Sequence, residues 1–157
     1  MVSWGQFCQA APDLSAAGRA LLYQYGVGLA FLATVDATGG PRVHPVCPLL
    51  HADGIYLFVI PGPKQRDLIR DGRYALHSFP CDNDESGLFL AGRAGEVTLP
   101  DVRRALSDQF VAERADSGVP APKQDHLLFE LDVDRCLLTT STGPADHNPR
   151  KQTWRAP

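Results

Sequence analysis

Two short connections constrain this chain more than anything else in it. DATGGP, Asp36 to Pro41, joins the apolar run Gly28–Val35 to the run Arg42–Leu50, and HADG, His51 to Gly54, joins that run to Gly54–Ile60. Both are of hairpin length and carry the glycine that a tight turn needs for positive φ. Strands joined so closely can pair only antiparallel. Three further runs, Arg73–Phe79, Gly87–Thr98 and Leu127–Thr140, are apolar or alternating and are bounded by Gly, Asp, Asn or Pro, which brings the expected strands to six. Helical spacing marks a segment from Asp13, as N-cap, to near Gly26, a short one from Lys64 to Arg70 closed by Gly72, and one from Asp101 to Ala115 that follows Pro100. In the last, Val102, Ala105, Leu106 and Phe110 form a single apolar face that should cap the sheet. Six antiparallel strands in so short a chain curl to remove their edges. A small, mainly β (α+β) barrel with two or three helices is therefore expected.

A length of 157 residues suits one core, so residues 1–157 are read as a single domain. Fifteen Lys and Arg against eighteen Asp and Glu leave a net charge of −3, which argues against a nucleic-acid binder. The longest apolar stretch, GVGLAFLATV from Gly26, is about half of a membrane span. No basic, apolar leader opens the chain, and a cytoplasmic location is expected. Cys8, Cys47, Cys81 and Cys136 form no CxxC pair and read as reduced core residues; His44 and Cys47 lack the further ligands that a metal site needs.

The run RVHPVCPLL, Arg42 to Leu50, contains Pro45 and Pro48, although proline has no N–H to give to a ladder. Alternation places Arg42, His44, Val46 and Pro48 on one face and Val43, Pro45, Cys47 and Leu49 on the other. Two explanations stand at this point: the prolines mark a sheet edge and block unwanted pairing, or they leave backbone groups for the polar rim of a flat ligand. In PGPKQRDL, Pro61 to Leu68, a stiff turn leads from a strand into a helix whose first turn holds Lys64 and Arg66, where the helix dipole disfavours cations unless an anion binds. Pairing of these bases with Asp67 and Asp71 is the simpler alternative. Taken together, a planar hydrogen-bonding body beside the proline run and a phosphate at the strand–helix junction describe flavin mononucleotide (FMN). Neither a GxGxxG loop nor a P-loop is present to suggest another nucleotide.

In this order and spacing, ATVDATGGPRVHPVCPLL followed by DGIYLFVIPGPKQRDLIRDGRYALHSF resembles the flavin-binding split β-barrel family related to pyridoxamine 5′-phosphate oxidase. The likeness covers about Ala30 to Val97 well and the rest loosely. It implies a six-stranded antiparallel split β-barrel of Greek-key type. It further implies that Arg42, Val43, His44, Pro45, Val46 and Cys47 lie along the isoalloxazine and ribityl chain, that Val59, Ile60 and Pro61 form the wall beside the ring, and that Lys64, helped by Gln65 or Arg66, holds the phosphate. Family members are usually homodimers with cofactor at the subunit interface, so the tail 142–157, with Trp154, is expected to reach the partner subunit. The oxidase's basic residue late in the second strand is missing here, where the run ends Cys47, Pro48, Leu49, Leu50. Its Arg–His–Asp–Arg-like C-terminal segment is replaced by TGPADHNPRKQTW. Both departures count against vitamin B6 phosphate as substrate and leave flavin binding untouched.

The expected activity is a flavin-dependent oxidoreduction of a small molecule, with His44 either tuning the flavin or making a structural hydrogen bond. One alternative is a deazaflavin coenzyme, whose acidic tail would call on Arg66, Arg70 and Arg73. The other is a non-catalytic flavin or haem carrier or sensor, for which His44, His77, His126 and His147 are the candidate axial ligands.

Overall fold

The computed structural model describes all 157 residues. Two helices open it, α1 (Trp4–Ala10) and α2 (Pro12–Leu22), followed by strands β1 (Ala30–Val35), β2 (Pro41–Val46), β3 (Leu49–His51) and β4 (Gly54–Val59). Helix α3 (Pro63–Arg70) precedes β5 (Arg73–Ser78) and β6 (Gly87–Glu96). Helix α4 (Pro100–Ala112) is followed by a 3-10 turn at Ala115–Ser117, and β7 (Leu127–Thr140) and β8 (Arg150–Arg155) end the chain. The expectation of six strands and two or three helices is thus corrected to eight strands and four helices.

Two of these differences have a local cause, and the third comes from a distant partner. Ser3 caps α1 reciprocally with Gln6, a capping box that starts the helix, and Pro12 rather than Asp13 opens α2 at the position where a missing N–H is harmless. The run Arg42–Leu50 is two strands, because Pro48 interrupts it. The polar tail returns as β8 along β7, with Trp154 opposite Cys136.

All pairings are antiparallel, in the order β2-β1-β5-β6-β7-β4-β3, with β8 added to β7. The fourteen-residue β7 pairs with β6 along one side; on the other it gives Leu127–Glu130 to β4 and Arg135–Thr140 to β8. A register shift between Ala91 and Gly92 lets β6 and β7 bend. Strands β2 and β3 therefore stand at opposite margins of the hydrogen-bonded path, although only Cys47 and Pro48 separate them in sequence. The sheet is a split barrel whose split is crossed by a two-residue splice. Gly28 makes that crossing possible: a Cβ there would lie 1.9 Å from the Pro48 carbonyl oxygen.

The interior is filled from all sides. Leu32, Leu57, Leu76, Leu88, Leu90 and Leu131 line it, Trp4, Phe7 and Leu22 close it from α1 and α2, and Leu68 closes it from α3. A second, smaller core lies outside the barrel wall, where Leu106 of α4 meets Leu49 and Leu128, flanked by Phe58 and Phe110 in an edge contact with centroids 6.2 Å apart. Burying each such leucine stabilises the fold by about 2 kcal/mol. This outer core fixes α4 beside the split.

Candidate functional site

Strand β2 pairs only with β1, so its other edge is free. In the register Pro41 faces Val35 and Pro45 faces Phe31. Lacking N–H groups, the two prolines can occupy only the non-hydrogen-bonded positions of the alternating ladder, and they share one phase of it. By the same alternation the N–H and C=O of Val43 and the carbonyls of Pro41 and Pro45 turn toward the free edge. Pro45, with Pro41, thus marks an edge and leaves it polar at the same time, whereas Pro48 lies outside β2, buried in the connection to β3.

Alternation also divides the side chains. Val43 and Pro45 are exposed on the outer face, Val43 at 61 %, while Arg42, His44 and Val46 point toward α3 and the interior. Helix α3 is held there by Asp67, a buried carboxylate that accepts hydrogen bonds from Thr34 Oγ1 at 3.0 Å, Arg42 Nε at 3.1 Å and Arg70 Nη1 at 3.3 Å. Burial would raise the Asp67 pKa, but these three donors outweigh it and hold the carboxyl below its ordinary value. Arg42 is therefore a structural cation.

One turn earlier on α3 stands Lys64. The helix starts from Gly62, at φ 155° and ψ −170°, a region open only to glycine, and no side chain caps it. Lys64 is half-buried and pairs with no carboxylate; burial, opposed only by the nearby Cys47 thiol, pushes its ammonium pKa down. Beside it His44 carries the one fully enclosed side-chain nitrogen or oxygen without a hydrogen-bond partner, Nε2. Burial first, then the charges of Lys64 and Arg42, lower the His44 pKa, with Asp67 acting in the opposite sense.

A cavity of about 330 Å³ opens over this junction. Of the residues expected at a cofactor site, it brings together Pro45, Val46, Cys47, Ile60 and Lys64. Arg42, Val43, His44, Val59, Pro61, Gln65, Arg66 and Trp154 lie outside its lining. Val59 is fully buried in the main core, Gln65 donates through Nε2 to the carbonyls of Val59 (3.0 Å) and Asp125 (3.2 Å), and Arg66 is exposed. Trp154 turns inward and packs on Phe7, ring centroids 4.8 Å apart, within its own chain.

The far wall was not legible in the sequence: Phe58, Phe110, the segment Val119–Lys123, and His126. Arg103 ties that segment to α4, donating to the His126 carbonyl at 2.8 Å and the Lys123 carbonyl at 2.7 Å while lying over the Phe58 ring. VPAPK reads locally as a loop; only the long-range docking of α4 reveals it as a wall. The resulting space is apolar around its body, with ammonium groups and an imidazole at its margin and a polar strand edge along one side. An apolar-bodied, planar ligand with an anionic end suits it. The uncompensated Lys64, at the margin of an apolar space, fits the phosphate of FMN.

No protein-family profile matches the chain, and no curated protein matches its sequence. Solved structures do match. A haem-binding protein from Mycobacterium smegmatis superimposes with a TM-score of 0.67 at 20% identity, over 89% of this chain and 57% of that one, so this chain spans little more than half its length. A putative pyridoxamine 5′-phosphate oxidase from Listeria innocua matches at 0.60 and 12% identity, over 76% of this chain and 93% of that one. An F420 reductase matches at 0.56 and 18% identity, over 70% and 88%. No helix of the chain is long and apolar enough to cross a membrane. At these identities what is shared is architecture: the chain has the split β-barrel fold common to these structures.

Proposed function

We propose that the chain binds FMN in the cleft beside the free edge of β2 and acts as a flavin-dependent oxidoreductase on a small molecule. Lys64 carries this reading: a half-buried ammonium in the first turn of an uncapped helix, lining an apolar cavity, with no carboxylate to neutralise it. A cation so placed is unfavourable until an anion meets it, and the free N–H groups of the same turn favour the same anion. Lys64 would hold the phosphate, and Pro45, Val46, Cys47 and Ile60 would lie against the ring. The edge carbonyl of Pro45 would meet polar atoms of the ligand. When bound, FMN supplies the hydride transfer. The chain's own part is orientation and exclusion of water by Phe58, Phe110 and the Val119–Pro122 wall. His44 stands behind Lys64, where desolvation and the charges of Lys64 and Arg42 lower its pKa.

The same reading includes a homodimer. Phe31, Val43, Ala33, Ala75, Phe89 and Leu137 share the outward face of β2, β1, β5, β6 and β7, an apolar surface next to the cavity. On this reading the tail side chains facing that way, Lys151, Thr153 and Arg155, would meet the partner, while Trp154 packs on Phe7. Light scattering should give twice the monomer mass, and Val43→Glu should reduce it to one.

Titration with FMN, followed by flavin fluorescence, tests the main claim. Lys64→Gln should weaken binding by about 10- to 100-fold, the range of one charge-assisted contact, and reduced nicotinamide should bleach the loaded wild-type protein. Equal affinity of the variant, or no FMN binding at all, would remove the proposal; binding without bleaching would remove the oxidoreductase part. A haem-binding reading is favoured by one observation: His126 lines the cavity, as an axial ligand would have to. Haem bound with a Soret band that His126→Ala shifts would favour it over FMN. The deazaflavin reading, to which the F420 reductase neighbour points, has less support from its proposed basic patch. Arg70 and Arg73 are already paired with Asp67 and Asp71.

A further inference from the structure

A second groove, about 430 Å³ in volume, adjoins the cofactor cleft: Cys47 and Val119 line both. Val27, Leu29 and Ala112 make most of its wall apolar, and Arg114 stands in it. The Arg114 side chain is only 5% exposed. A guanidinium has five N–H donors, yet those of Arg114 are poorly used. Nη1 reaches the Phe110 carbonyl at 3.3 Å and Glu113 Oε2 at 3.5 Å, Nη2 reaches the Gly28 carbonyl at 3.5 Å, and Nε has no partner. All three contacts sit at the long limit of a hydrogen bond. Glu113 forms a long ion pair with it through Oε2, while its other oxygen accepts from Gln109 Nε2 at 2.7 Å and from the Tyr23 hydroxyl at 3.4 Å. The Phe110 ring, 4.1 Å from the guanidinium carbon, fixes the plane of the fork.

A buried, oriented and under-bonded guanidinium at the end of an apolar groove matches a carboxylate carried on an apolar body, which it can grip through two N–H groups. Two carboxylates, Glu113 and the exposed Asp116, line the same groove and with Arg114 sum to one negative charge, which disfavours dianions more than a monocarboxylate. We propose that this groove binds an apolar-bodied monocarboxylate through Arg114 and presents it, across Cys47 and Val119, to the cofactor cleft as substrate. The binding claim stands on the groove alone; the substrate role rests on the flavin reading.

The test is calorimetric titration of the full chain with benzoate as probe and benzamide as its neutral isostere, first flavin-free and then after loading with FMN. Benzoate should saturate at one per chain in the flavin-free protein, with benzamide at least about tenfold weaker. Arg114→Gln should abolish the discrimination. Because a buried arginine variant can misfold, Ala112→Trp, at an exposed position of α4, provides the second arm and should block benzoate by filling the groove. Benzoate should also shift the absorption bands of the FMN-loaded protein. Equal binding of benzamide, no saturation, or full benzoate affinity in Ala112→Trp would overturn the site. Benzoate binding that leaves the flavin bands unmoved would overturn the substrate role. A chain that binds benzoate and ignores FMN would support the groove while refuting the flavin reading.

Discussion

Asp67 anchors the helix that carries Lys64, and its replacement by alanine has consequences that follow from three contacts. The Thr34 hydroxyl, in a residue only 2% exposed, loses its acceptor and becomes an unsatisfied buried group, at about 1–3 kcal/mol. Arg42 and Arg70 also lose their partner. Their side chains are 38% and 40% exposed, so water replaces much of that interaction, and each loss contributes no more than about 1 kcal/mol. A total near 3 kcal/mol is expected for Asp67→Ala in urea unfolding at pH 7, and Thr34→Val in the same background should recover about 1 kcal/mol. The folded carboxyl titrates below its ordinary value, so its stabilisation is fully present above about pH 4 and is lost as pH falls through the folded pKa. The gap between wild type and Asp67→Ala should therefore narrow in acid. A loss under about 1 kcal/mol, or a gap that stays constant down to pH 2, would refute the account.

Leu106→Ala, which empties the centre of the small outer core, should cost about 2–4 kcal/mol in the same assay and weaken FMN binding, because α4 carries Phe110 and holds the loop wall; unchanged ligand affinity would separate α4 from the site. His44→Leu removes a part-buried imidazole whose folded pKa is depressed, so wild-type stability should fall relative to the variant as pH drops below about 6.5. Parallel pH profiles of the two proteins would contradict the burial of Nε2. Gly28→Ala drives a Cβ against the Pro48 carbonyl and should destabilise by more than about 2 kcal/mol; a normal melting temperature would mean the crossing is looser than described.

Strand type was legible wherever runs are apolar or alternate and turns are short: AFLATV and GIYLFV are apolar, LLFELDVDRCLLTT alternates, and the antiparallel pairing of the first two follows from their hairpins, whereas that of the third is long-range. Two things were hidden. RVHPVCPLL reads as one strand because periodicity continues through Pro48, and nothing local shows that its two halves belong to opposite margins of the sheet. RKQTWR is polar on its outward face and flanked by proline, so it gains strand character only from the long partner β7. The site divides in the same way. Lys64 and the proline run carry local signals, a cation at a helix start and missing N–H groups. Phe58, Phe110 and VPAPK become a wall only through the docking of α4, and Trp154 finds its place only through Phe7, residues distant in sequence that no short motif connects.

The splice at Cys47 and Pro48 has a mechanical consequence. A barrel closed by a hydrogen-bonded seam can open only by breaking ladder bonds, one pair after another. Here the facing margins are tied at one covalent point, so they can stand apart by the width of a ligand while every ladder remains intact. A protein of this size can thus keep a permanent gap in its wall without weakening the wall itself.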